Sequence, residues 1–282
     1  MNGAGSVRAA IDEARVRGVA ALDAQLMLAR LVGKTRTQLI AHDDAALAPE
    51  VSARWAAWLE RRVGGEPLAY LLGEKEFHGL MLEVTPDVLV PRPETELLVD
   101  WALELLPGHG ANDEVIDLGT GSGAIALALK HARPTARVTA SDASTAALAV
   151  ARRNADRLAL EVEWIESSWW QGLEERRFDL VVANPPYVRA GDPALAALHH
   201  EPLSALASGS DGLTALRAIV AGLEPALRPG GWLLVEHGFD QAEDVRDLMK
   251  SAGLERIELR RDLAGHSRAT GARWPRARRN PR

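Results

Sequence analysis

The 282-residue chain contains no cysteine. This absence excludes disulfide bonds, thiolate zinc sites and cysteine nucleophiles, and it fits a reducing compartment. No apolar run approaches the roughly 18 residues of a membrane span, and residues 1–18 lack the apolar centre of a signal peptide. The eight histidines are scattered without the spacing of metal ligands. We therefore expect a cytoplasmic protein with no metal site and no membrane association.

An excess of basic residues is also missing. The chain has 33 Lys and Arg against 39 Asp and Glu, which gives a net charge of −6. Residues 273–282 hold five Arg and no acid, so the rest of the chain carries −11. Proteins that grip long nucleic acids present a basic face to the phosphates, so we expect no stable nucleic-acid binding. Residues 275–282 are expected to be a solvated basic tail, with a contact to RNA or to a ribosome-associated partner as the alternative.

The composition that is present is typical of a globular protein. Hydrophobic residues make up 47% of the chain and charged residues 26%, and the length fits two domains at about 150 residues each. Residues 1–72 carry apolar residues at helical spacing without a convincing strand, which predicts a small helical bundle. Residues 73–93 mix apolar residues with Gly and Pro, which favours a β-hairpin linker. Residues 94–274 would form the second domain.

Apolar strands alternate with helices over residues 94–274. In chain order we predict helix 94–106, strand 114–118, helix 124–132, strand 137–141, helix 144–158, strand 162–165, strand 178–183, helix 213–227, strand 231–236, helix 240–252, and strands 254–259 and 267–273. This alternation predicts an α/β fold, a doubly wound and mostly parallel seven-stranded sheet with helices on both faces. Ligands of such sheets bind at the carboxyl ends of the strands, near the reversal in strand order.

A glycine-rich turn follows the predicted strand 114–118. The residues expected to bind a cofactor there are Gly119, Thr120, Gly121, Ser122 and Gly123. Glycine lets the backbone approach a ligand closely, and the next helix presents free N–H groups. Asp142 ends the following strand, where a carboxylate can accept both ribose hydroxyls. The G-x-G-x-G spacing leans away from a dinucleotide and favours S-adenosylmethionine, which has no pyrophosphate. A tight turn without a ligand and a capping Asp are the structural alternatives.

The tetrapeptide Asn184-Pro185-Pro186-Tyr187 directly follows the predicted strand 178–183. The Asn184 side-chain oxygen and the Pro185 carbonyl can accept the two hydrogens of one N–H₂ group. The two prolines make the turn rigid, and Tyr187 offers a flat face for stacking. These features select a planar, conjugated N–H₂ group, which belongs either to a carboxamide or to the exocyclic amine of a base. The turn would position that nitrogen for attack on a methyl group. We therefore predict Asn184, Pro185, Pro186 and Tyr187 as catalytic residues, with Asn184 also beside the cofactor; a structural proline turn is the alternative.

Other segments could border the same site. Trp169 and Trp170 follow the predicted strand 162–165. The sequence allows two interpretations of them equally, stacking on an adenine or simple packing. The remaining candidates are PRPETE at 91–96, Glu201-Pro202 with Asp211-Gly212, and Glu236-His237-Gly238. PRPETE is either a linker with helix capping or a lid near the cofactor. Glu201-Pro202 and Asp211-Gly212 could lie in a loop that borders the substrate. The histidine of the third is interpreted as structural.

Several motifs together resemble the release-factor glutamine methyltransferases of the HemK/PrmC type. They are PLAYLLGEKEFHGL at 67–80, PRPETE at 91–96, DLGTGSGAIALAL at 117–129, NPPYV at 184–188, EPLSAL at 201–206, SDGL at 210–213 and EHGFDQ at 236–241. The resemblance covers the chain from about residue 20 to about residue 270 and is loosest in residues 1–60 and in the tail. NPPY alone is shared with amino-methyltransferases of DNA and RNA, and its combination with PRPETE and the helical segment is more specific.

The resemblance implies a substrate, a cofactor and a set of roles. The substrate would be the glutamine of the Gly-Gly-Gln motif in class-I peptide-chain release factors, methylated at N5 by S-adenosylmethionine. Asp142 would hold the ribose, Trp169 would flank the adenine, and residues 1–72 would help to dock the protein substrate. Ser168 stands where the family has an acid, and Trp170 where it has Phe. That departure leaves open any role of the acid in this chain.

Two other functions remain alternatives. An N6-adenine methyltransferase of DNA, or an amino-methyltransferase of RNA, would also act on a conjugated N–H₂ group. The acidic body and the lack of a basic target-recognition domain speak against it. A nucleoside-binding regulatory module without catalysis is the other alternative, and the intact Asn184 and Tyr187 speak against that.

Overall fold

A computed structural model describes residues 5–106 and 112–276. The chain divides into two compact units, Met1–Glu74 and Lys75–Arg282. Residues 277–282, which form most of the predicted basic tail, lie outside the described residues. Within the described ranges, no helix has both the length and the apolar character needed to cross a membrane.

The first unit is a bundle of short helices. Its elements are α1 Val7–Val16, α2 Ala21–Val32, α3 Arg36–Ala41, α4 Pro49–Val63 and α5 Leu68–Leu72. Local signals set the starts of two helices, because the hydroxyls of Ser6 and Thr35 cap α1 and α3. Met27 and Leu28 on α2 pack with Trp55 of α4 in a core from which solvent is excluded. Apolar residues at helical spacing therefore form the core of this unit, as the pattern predicts.

A β-hairpin precedes the large sheet in the chain and, from Lys75 onward, belongs to the second unit. It consists of β1 Glu74–Phe77 and β2 Leu80–Glu83. Phe77 and Leu82 are buried in the same core cluster as residues of the large sheet. Asn154 holds the hairpin further, because its Oδ1 accepts from the Glu83 N–H at 2.6 Å and its Nδ2 donates to the Glu83 carbonyl at 3.0 Å. The hairpin is thus built into the second unit.

The second unit contains a seven-stranded sheet with helices on both faces. Its strands are β3 Glu114–Leu118, β4 Arg137–Asp142, β5 Glu163–Glu166, β6 Phe178–Ala183, β7 Leu227–Glu236, β8 Glu255–Arg261 and β9 Ser267–Arg273. Its helices are α6 Glu96–Leu105, α7 Ala124–Ala132, α8 Thr145–Leu158, α9 Ala194–Ala197, α10 Thr214–Ala221, α11 Leu223–Ala226 and α12 Ala242–Ser251. Two 3₁₀ turns, Pro93–Thr95 and Leu203–Ala205, complete the elements.

The strand order is β5-β4-β3-β6-β7-β9-β8, and β9 runs antiparallel to both of its neighbours. The chain moves outward from β3 through β4 to β5 and then returns to place β6 on the other side of β3. The reversal in strand order therefore lies between β3 and β6. The predicted fold class, a doubly wound and mostly parallel seven-stranded sheet, is confirmed.

The central strands are apolar on both faces because helices cover both. Along β3, Val115 belongs to one core cluster, whereas Ile116 and Leu118 belong to the other. Along β6, Leu180 and Val181 likewise divide between the two clusters. Successive side chains of a strand point to opposite faces, so a near-continuous apolar run is what a doubly covered strand requires.

Two neighbouring predicted elements are wrong in their extent. The helix expected over 213–227 ends at Ala221 and is followed by the short α11, and β7 begins at Leu227 rather than at residue 231. A Cβ at Gly222 would collide with the Trp170 ring, so the backbone there lies directly against this indole. The other elements predicted in this unit agree with the observed bounds to within two residues at each end.

Candidate active site

A cavity of about 520 Å³ opens at the carboxyl edge of the sheet, beside the reversal between β3 and β6. It lies entirely within the second unit. Its wall includes the glycine-rich loop with the start of α7, the β4–α8 connection with the start of α8, residues 167–169 and the turn after β6. Phe77, residues 86–92, Thr95 and the segment around the second 3₁₀ turn also line it. This is the place at which doubly wound sheets bind their ligands.

The glycine-rich loop is held in one shape from behind. Gly119, Gly121 and Gly123 have φ values of +74°, +56° and +84°, which side chains rarely tolerate. The N–H groups of Gly119 and Thr120 both donate to the Ser141 carbonyl at 2.9 Å. No atom lies within 4 Å of a Cβ built on Gly121, whereas a Cβ on Gly123 would press on packed side chains at 3.1 Å. The loop is therefore packed at Gly123 and open at Gly121.

Asp117 fastens this loop from the end of β3. It is fully buried, and its Oδ2 accepts from the Thr120 hydroxyl at 2.6 Å and from the Ala126 N–H at 3.3 Å. Burial raises the pKa of Asp117 to about 7, and the hydrogen bonds to Thr120 and Ala126 oppose that rise. Asp117 was not predicted to have a role, although an acid inside an apolar strand, two residues before a glycine-rich turn, is a usable signal.

Asp142 lies at the end of β4 with its carboxylate fixed. Its Oδ2 accepts from the Gly121 N–H and its Oδ1 from the Ser144 N–H, each at 2.9 Å. Burial raises the pKa of Asp142, while these backbone N–H groups favour its ionised form. Each carboxylate oxygen keeps further acceptor capacity after one bond. The side chain lines the cavity and can therefore accept hydroxyl groups of a ligand there.

The two tryptophans have different surroundings. Trp169 lines the cavity next to Gly119 and has a φ of +57°, a conformation that costs free energy in a bulky residue. Trp170 instead packs against Gly222 and donates from its Nε1 to the Ile219 carbonyl at 2.8 Å. Ser168, at the position of the departure noted above, also lines the cavity. Of the two tryptophans, Trp169 lines the cavity and Trp170 does not.

The Asn-Pro-Pro-Tyr turn follows β6 at the same edge. Asn184 and Pro186 line the cavity, whereas Pro185 is buried and Tyr187 is not among the residues that line the wall in the described structure. The Tyr187 carbonyl accepts from Gln241 Nε2 at 3.0 Å, which fixes the far end of the turn. Burial raises the pKa of the Tyr187 phenol, which therefore stays protonated and can donate. Its hydroxyl donates to Glu236 at 3.3 Å.

Thr95 and Glu236 join the site although our sequence analysis assigned them no role. Asn184 Nδ2 donates to the Thr95 hydroxyl oxygen at 3.0 Å, and that hydroxyl donates to Glu236 Oε2 at 2.7 Å. Glu236 is 1% exposed and ends β7, the strand next to β6. An acid that ends an apolar strand at the ligand-binding edge was the available signal. Burial raises the pKa of Glu236 to about 7, against the effects of the Thr95 hydrogen bond and of the Arg268 charge.

The PRPETE segment and the loop after α9 form another wall. Glu201 is buried, accepts from the Val90 N–H at 3.0 Å and pairs with Arg92. Pro91 and Arg92 line the cavity on one side of this pair, and Pro202 on the other. The PRPETE segment and Pro202 thus border the cavity, whereas Asp211 and Gly212 are not among its lining residues in the described structure. His237 is buried and bonds to Thr270 and to the Gly238 carbonyl, which agrees with a structural role.

S-adenosylmethionine is the group that the sequence predicts for this cavity, and the residues present fit it. The open side of Gly121 leaves room for a ligand beside the backbone, and Asp142 is oriented to accept ribose hydroxyls. Trp169 offers an aromatic face at the same wall. Among the described residues there is no cluster of His, Asp and Glu arranged to hold a metal ion.

Comparisons with known proteins agree with this geometry. Residues 95–209 match the model of the methyltransferase small domain, and residues 7–73 match that of the PrmC N-terminal domain. A methyltransferase from Pyrococcus furiosus shares the fold, with a TM-score of 0.53 at 18% identity over 80% of this chain and 100% of that chain.

Curated relatives cover nearly the whole chain. The release factor glutamine methyltransferase of Burkholderia pseudomallei is 49% identical over 90% of this chain and 92% of its own length. That of Bordetella pertussis is 47% identical over 90% of this chain and 95% of its own length. Identity at this level over nine-tenths of this chain extends into both compact units. The chain therefore belongs to the family of release factor glutamine methyltransferases.

Proposed function

We propose that this protein transfers the methyl group of S-adenosylmethionine to N5 of the glutamine in the Gly-Gly-Gln motif of class-I peptide-chain release factors. The observation that carries the proposal is the orientation of Asn184 at the cavity. Its Nδ2 is bound by Thr95, so its Oδ1 is the atom left to accept a hydrogen bond from a substrate. The names of the relatives, release factor glutamine methyltransferases, support the same substrate.

The chemistry requires positioning more than a strong base. An amide nitrogen is a poor nucleophile because its lone pair is delocalised into the carbonyl group. Acceptance of its two hydrogens by Asn184 Oδ1 and the Pro185 carbonyl would localise that lone pair and aim it, and the rigid turn fixes both acceptors in advance. When bound, S-adenosylmethionine supplies a methyl carbon on a sulfonium leaving group.

The proton balance is simple under this scheme. The new bond joins the amide nitrogen to the methyl carbon, and the bond from that carbon to sulfur breaks. The nitrogen then carries a positive charge and one hydrogen too many, and it readily loses that hydrogen to water. Asn184 holds the substrate amide and accepts no proton, so the scheme requires no strong general base beside the turn.

The cofactor would lie on the residues that the cavity wall already orients. We propose that Asp142 accepts the ribose hydroxyls, that Trp169 flanks the adenine, and that the loop Gly119, Thr120, Gly121, Ser122 and Gly123 lies under the amino-acid end. The fixed carboxylate of Asp142 and the open side of Gly121 support these roles. The first unit would help to dock the release factor, and an enzyme of this kind would work in the cytoplasm, where translation takes place.

A label-transfer assay tests the function. The protein is incubated with methyl-labelled S-adenosylmethionine and one of three substrates: a class-I release factor, the same factor with Ala in place of the Gly-Gly-Gln glutamine, or duplex DNA. We expect label on the first substrate alone. Label on DNA without label on the release factor would instead indicate the N6-adenine activity. Equal label on the two release factors would mean that another residue is the acceptor.

A further inference from the structure

Asn184 can serve as a hydrogen-bond acceptor only if its amide group faces the right way, and the structure shows what determines this. From the hydrogen-bond chain we infer that Glu236, acting through Thr95, is a positioning residue that sets which end of the Asn184 amide faces the substrate. The inference rests on the proposed function, because it concerns the acceptor for the glutamine amide. It adds a second requirement for activity, namely the ionised state of a buried carboxyl group that does not touch the substrate.

Two hydrogen bonds join the three side chains, and both donate in the direction of Glu236. Glu236 Oε2 accepts from the Thr95 hydroxyl at 2.7 Å, and the Thr95 oxygen lies 3.0 Å from Asn184 Nδ2. A hydroxyl group has one hydrogen, and here it is used toward Glu236. The Thr95 oxygen can therefore only accept from Asn184, so the nitrogen of that amide must face Thr95. The amide oxygen is left for the cavity.

The Glu236 carboxylate determines which groups donate in these hydrogen bonds. An ionised carboxylate can only accept hydrogen bonds, so Glu236 forces both of its partners to donate. Its second oxygen, Oε1, accepts from the Tyr187 hydroxyl at 3.3 Å. One buried group thereby holds both polar ends of the Asn-Pro-Pro-Tyr turn, Asn184 through Thr95 and Tyr187 directly. Thr95 and Glu236 are 141 residues apart in the chain, yet both are almost completely buried.

Protonation of Glu236 would remove the constraint on which groups donate and which accept. A protonated carboxyl group can donate to the Thr95 oxygen, which frees the Thr95 hydrogen to donate to Asn184. The Asn184 amide can then turn, with its oxygen toward Thr95 and its N–H₂ group toward the cavity. That group would meet the N–H₂ group of the substrate glutamine, donor against donor. The same three side chains would then oppose binding of the amide.

The charged and titratable groups around Glu236 leave its protonation state open to pH. Arg268 on β9 favours the ionised form and Glu94 in the 3₁₀ turn opposes it, while Thr95 and Tyr187 contribute hydrogen bonds. Burial outweighs the favourable effects and raises the pKa of Glu236 to about 7. The adjacent His237 is bonded to Thr270 and its own pKa is lowered by burial, so it remains neutral in this range.

An NMR titration tests the orientation without using activity. The chain has five asparagines, so selective ¹⁵N-asparagine labelling gives few side-chain signals. We expect the Asn184 side-chain signal, assigned by its loss in Asn184→Asp, to shift with a midpoint near pH 7 in the wild type and to stay constant in Glu236→Gln. Asn154, whose Nδ2 donates to the Glu83 and Ser122 carbonyls, is a built-in control that should not titrate with this midpoint. An Asn184 signal that is equally constant in both proteins would overturn the inference.

Kinetics on the release factor provide the second measurement. We expect Thr95→Val to lower kcat about tenfold, a loss that corresponds to about 1.4 kcal/mol, and Thr95→Ser to restore most of it. The wild-type kcat should fall as pH decreases below about 7, and Glu236→Gln should lack that acidic limb. Glu104→Gln, an exposed member of an ion pair with Arg260, is the control and should keep the wild-type pH profile.

The outcomes separate this inference from the proposed function. A wild type that labels no release factor would remove the proposed function, and the NMR titration would still decide the orientation of Asn184. A wild type that labels the factor while Thr95→Val keeps both its kcat and its pH profile would overturn the inference alone. A loss of cofactor affinity in Thr95→Val as large as the loss of kcat would also overturn it, because a positioning role acts on the substrate amide.

Discussion

At the residue scale, the site depends on side chains whose hydrogen bonds are already committed. Asp142 is oriented by two backbone N–H groups, and Asn184 is oriented by Thr95. Such side chains need little reorganisation when a ligand arrives, and this is how a preorganised site lowers a barrier. The two residues nevertheless face different ligands, so their effects on binding and on turnover should separate.

Asn184→Ala and Asp142→Ala test that separation. We expect Asn184→Ala to reduce turnover strongly and to leave cofactor affinity within a few-fold, because it removes an acceptor for the substrate amide. Asp142→Ala should weaken cofactor binding by about 1.5–3 kcal/mol, as expected for the loss of hydrogen bonds to a charged group. Calorimetric titration with S-adenosylmethionine and single-turnover rates give the two quantities. Equal losses of cofactor affinity in the two variants would contradict the division of roles.

The buried carboxyl group of Glu236 should also affect stability with a definite sign. Its pKa is about 7 in the folded protein against an ordinary value of 4.5, so the folded state retains a proton that the unfolded state has already lost. Stability therefore decreases as pH rises between these two values, by roughly 3 kcal/mol in total. Glu236→Gln cannot ionise and should lack this decrease. Urea unfolding of both proteins at about pH 5 and about pH 8 measures it, and an identical pH dependence in the two would contradict the assignment.

The residue scale also shows what local sequence can reveal. Asn184 and Asp142 are recognisable because Asn184 directly follows β6 and Asp142 ends β4, at the edge where ligands bind, and both line the cavity. Thr95 and Glu236 were not assigned, because their contact joins positions 141 residues apart and depends on the pairing of β6 with β7. Tyr187 was predicted as a stacking face, and the hydrogen bond of its hydroxyl to Glu236 could not be read from the turn alone.

At the element scale, the sheet follows from strong local patterns. Strands β3 and β6 are mostly apolar, and their observed bounds equal the predicted ones. The helix after the site is different. It ends at Ala221, and Pro225 has no N–H to donate to the Ala221 carbonyl, so a local signal for this end was present in the sequence. The close approach of Trp170 to Gly222, 52 residues apart in the chain, could not be predicted from the helical pattern.

Gly222→Ala tests whether the Trp170 ring limits the space at Gly222. The added methyl group would collide with the Trp170 ring, and overpacking of this kind destabilises by about 1–3 kcal/mol. In a Trp170→Ala background the same substitution should cost much less, since the ring is gone. Urea unfolding of the four proteins in this double-mutant cycle gives the coupling between the two sites. Equal costs in both backgrounds would show that the ring does not limit Gly222.

At the scale of the whole molecule, the chain has two compact units with separate apolar cores. The cavity and all the side chains assigned to chemistry belong to the second unit. The first unit matches the PrmC N-terminal domain and carries none of these residues. We therefore expect damage confined to the first unit to affect use of the protein substrate and to spare the cofactor.

Leu28→Ala provides the test of that expectation. Leu28 is completely buried on α2, so the cavity left behind should destabilise the first unit by about 2–5 kcal/mol. We expect KM for the release factor to rise while the Kd for S-adenosylmethionine stays within a few-fold. Leu22→Ala on the same helix is the matched control, since that side chain is 50% exposed and should change neither constant. Hydrogen exchange locates the destabilised unit, and a parallel loss of cofactor affinity in Leu28→Ala would refute the separation.

The central claim is that a rigid turn holds a planar amide between Asn184 Oδ1 and the Pro185 carbonyl, with the methyl donor on the other side. A crystal structure of the protein with an S-adenosylmethionine analogue and a Gly-Gly-Gln peptide measures this directly. We predict that the glutamine amide nitrogen lies within hydrogen-bond distance of both acceptors, in line with the donor's methyl group. A donor whose methyl group points away from Asn184, leaving no space for an amide beside the turn, would contradict the claim.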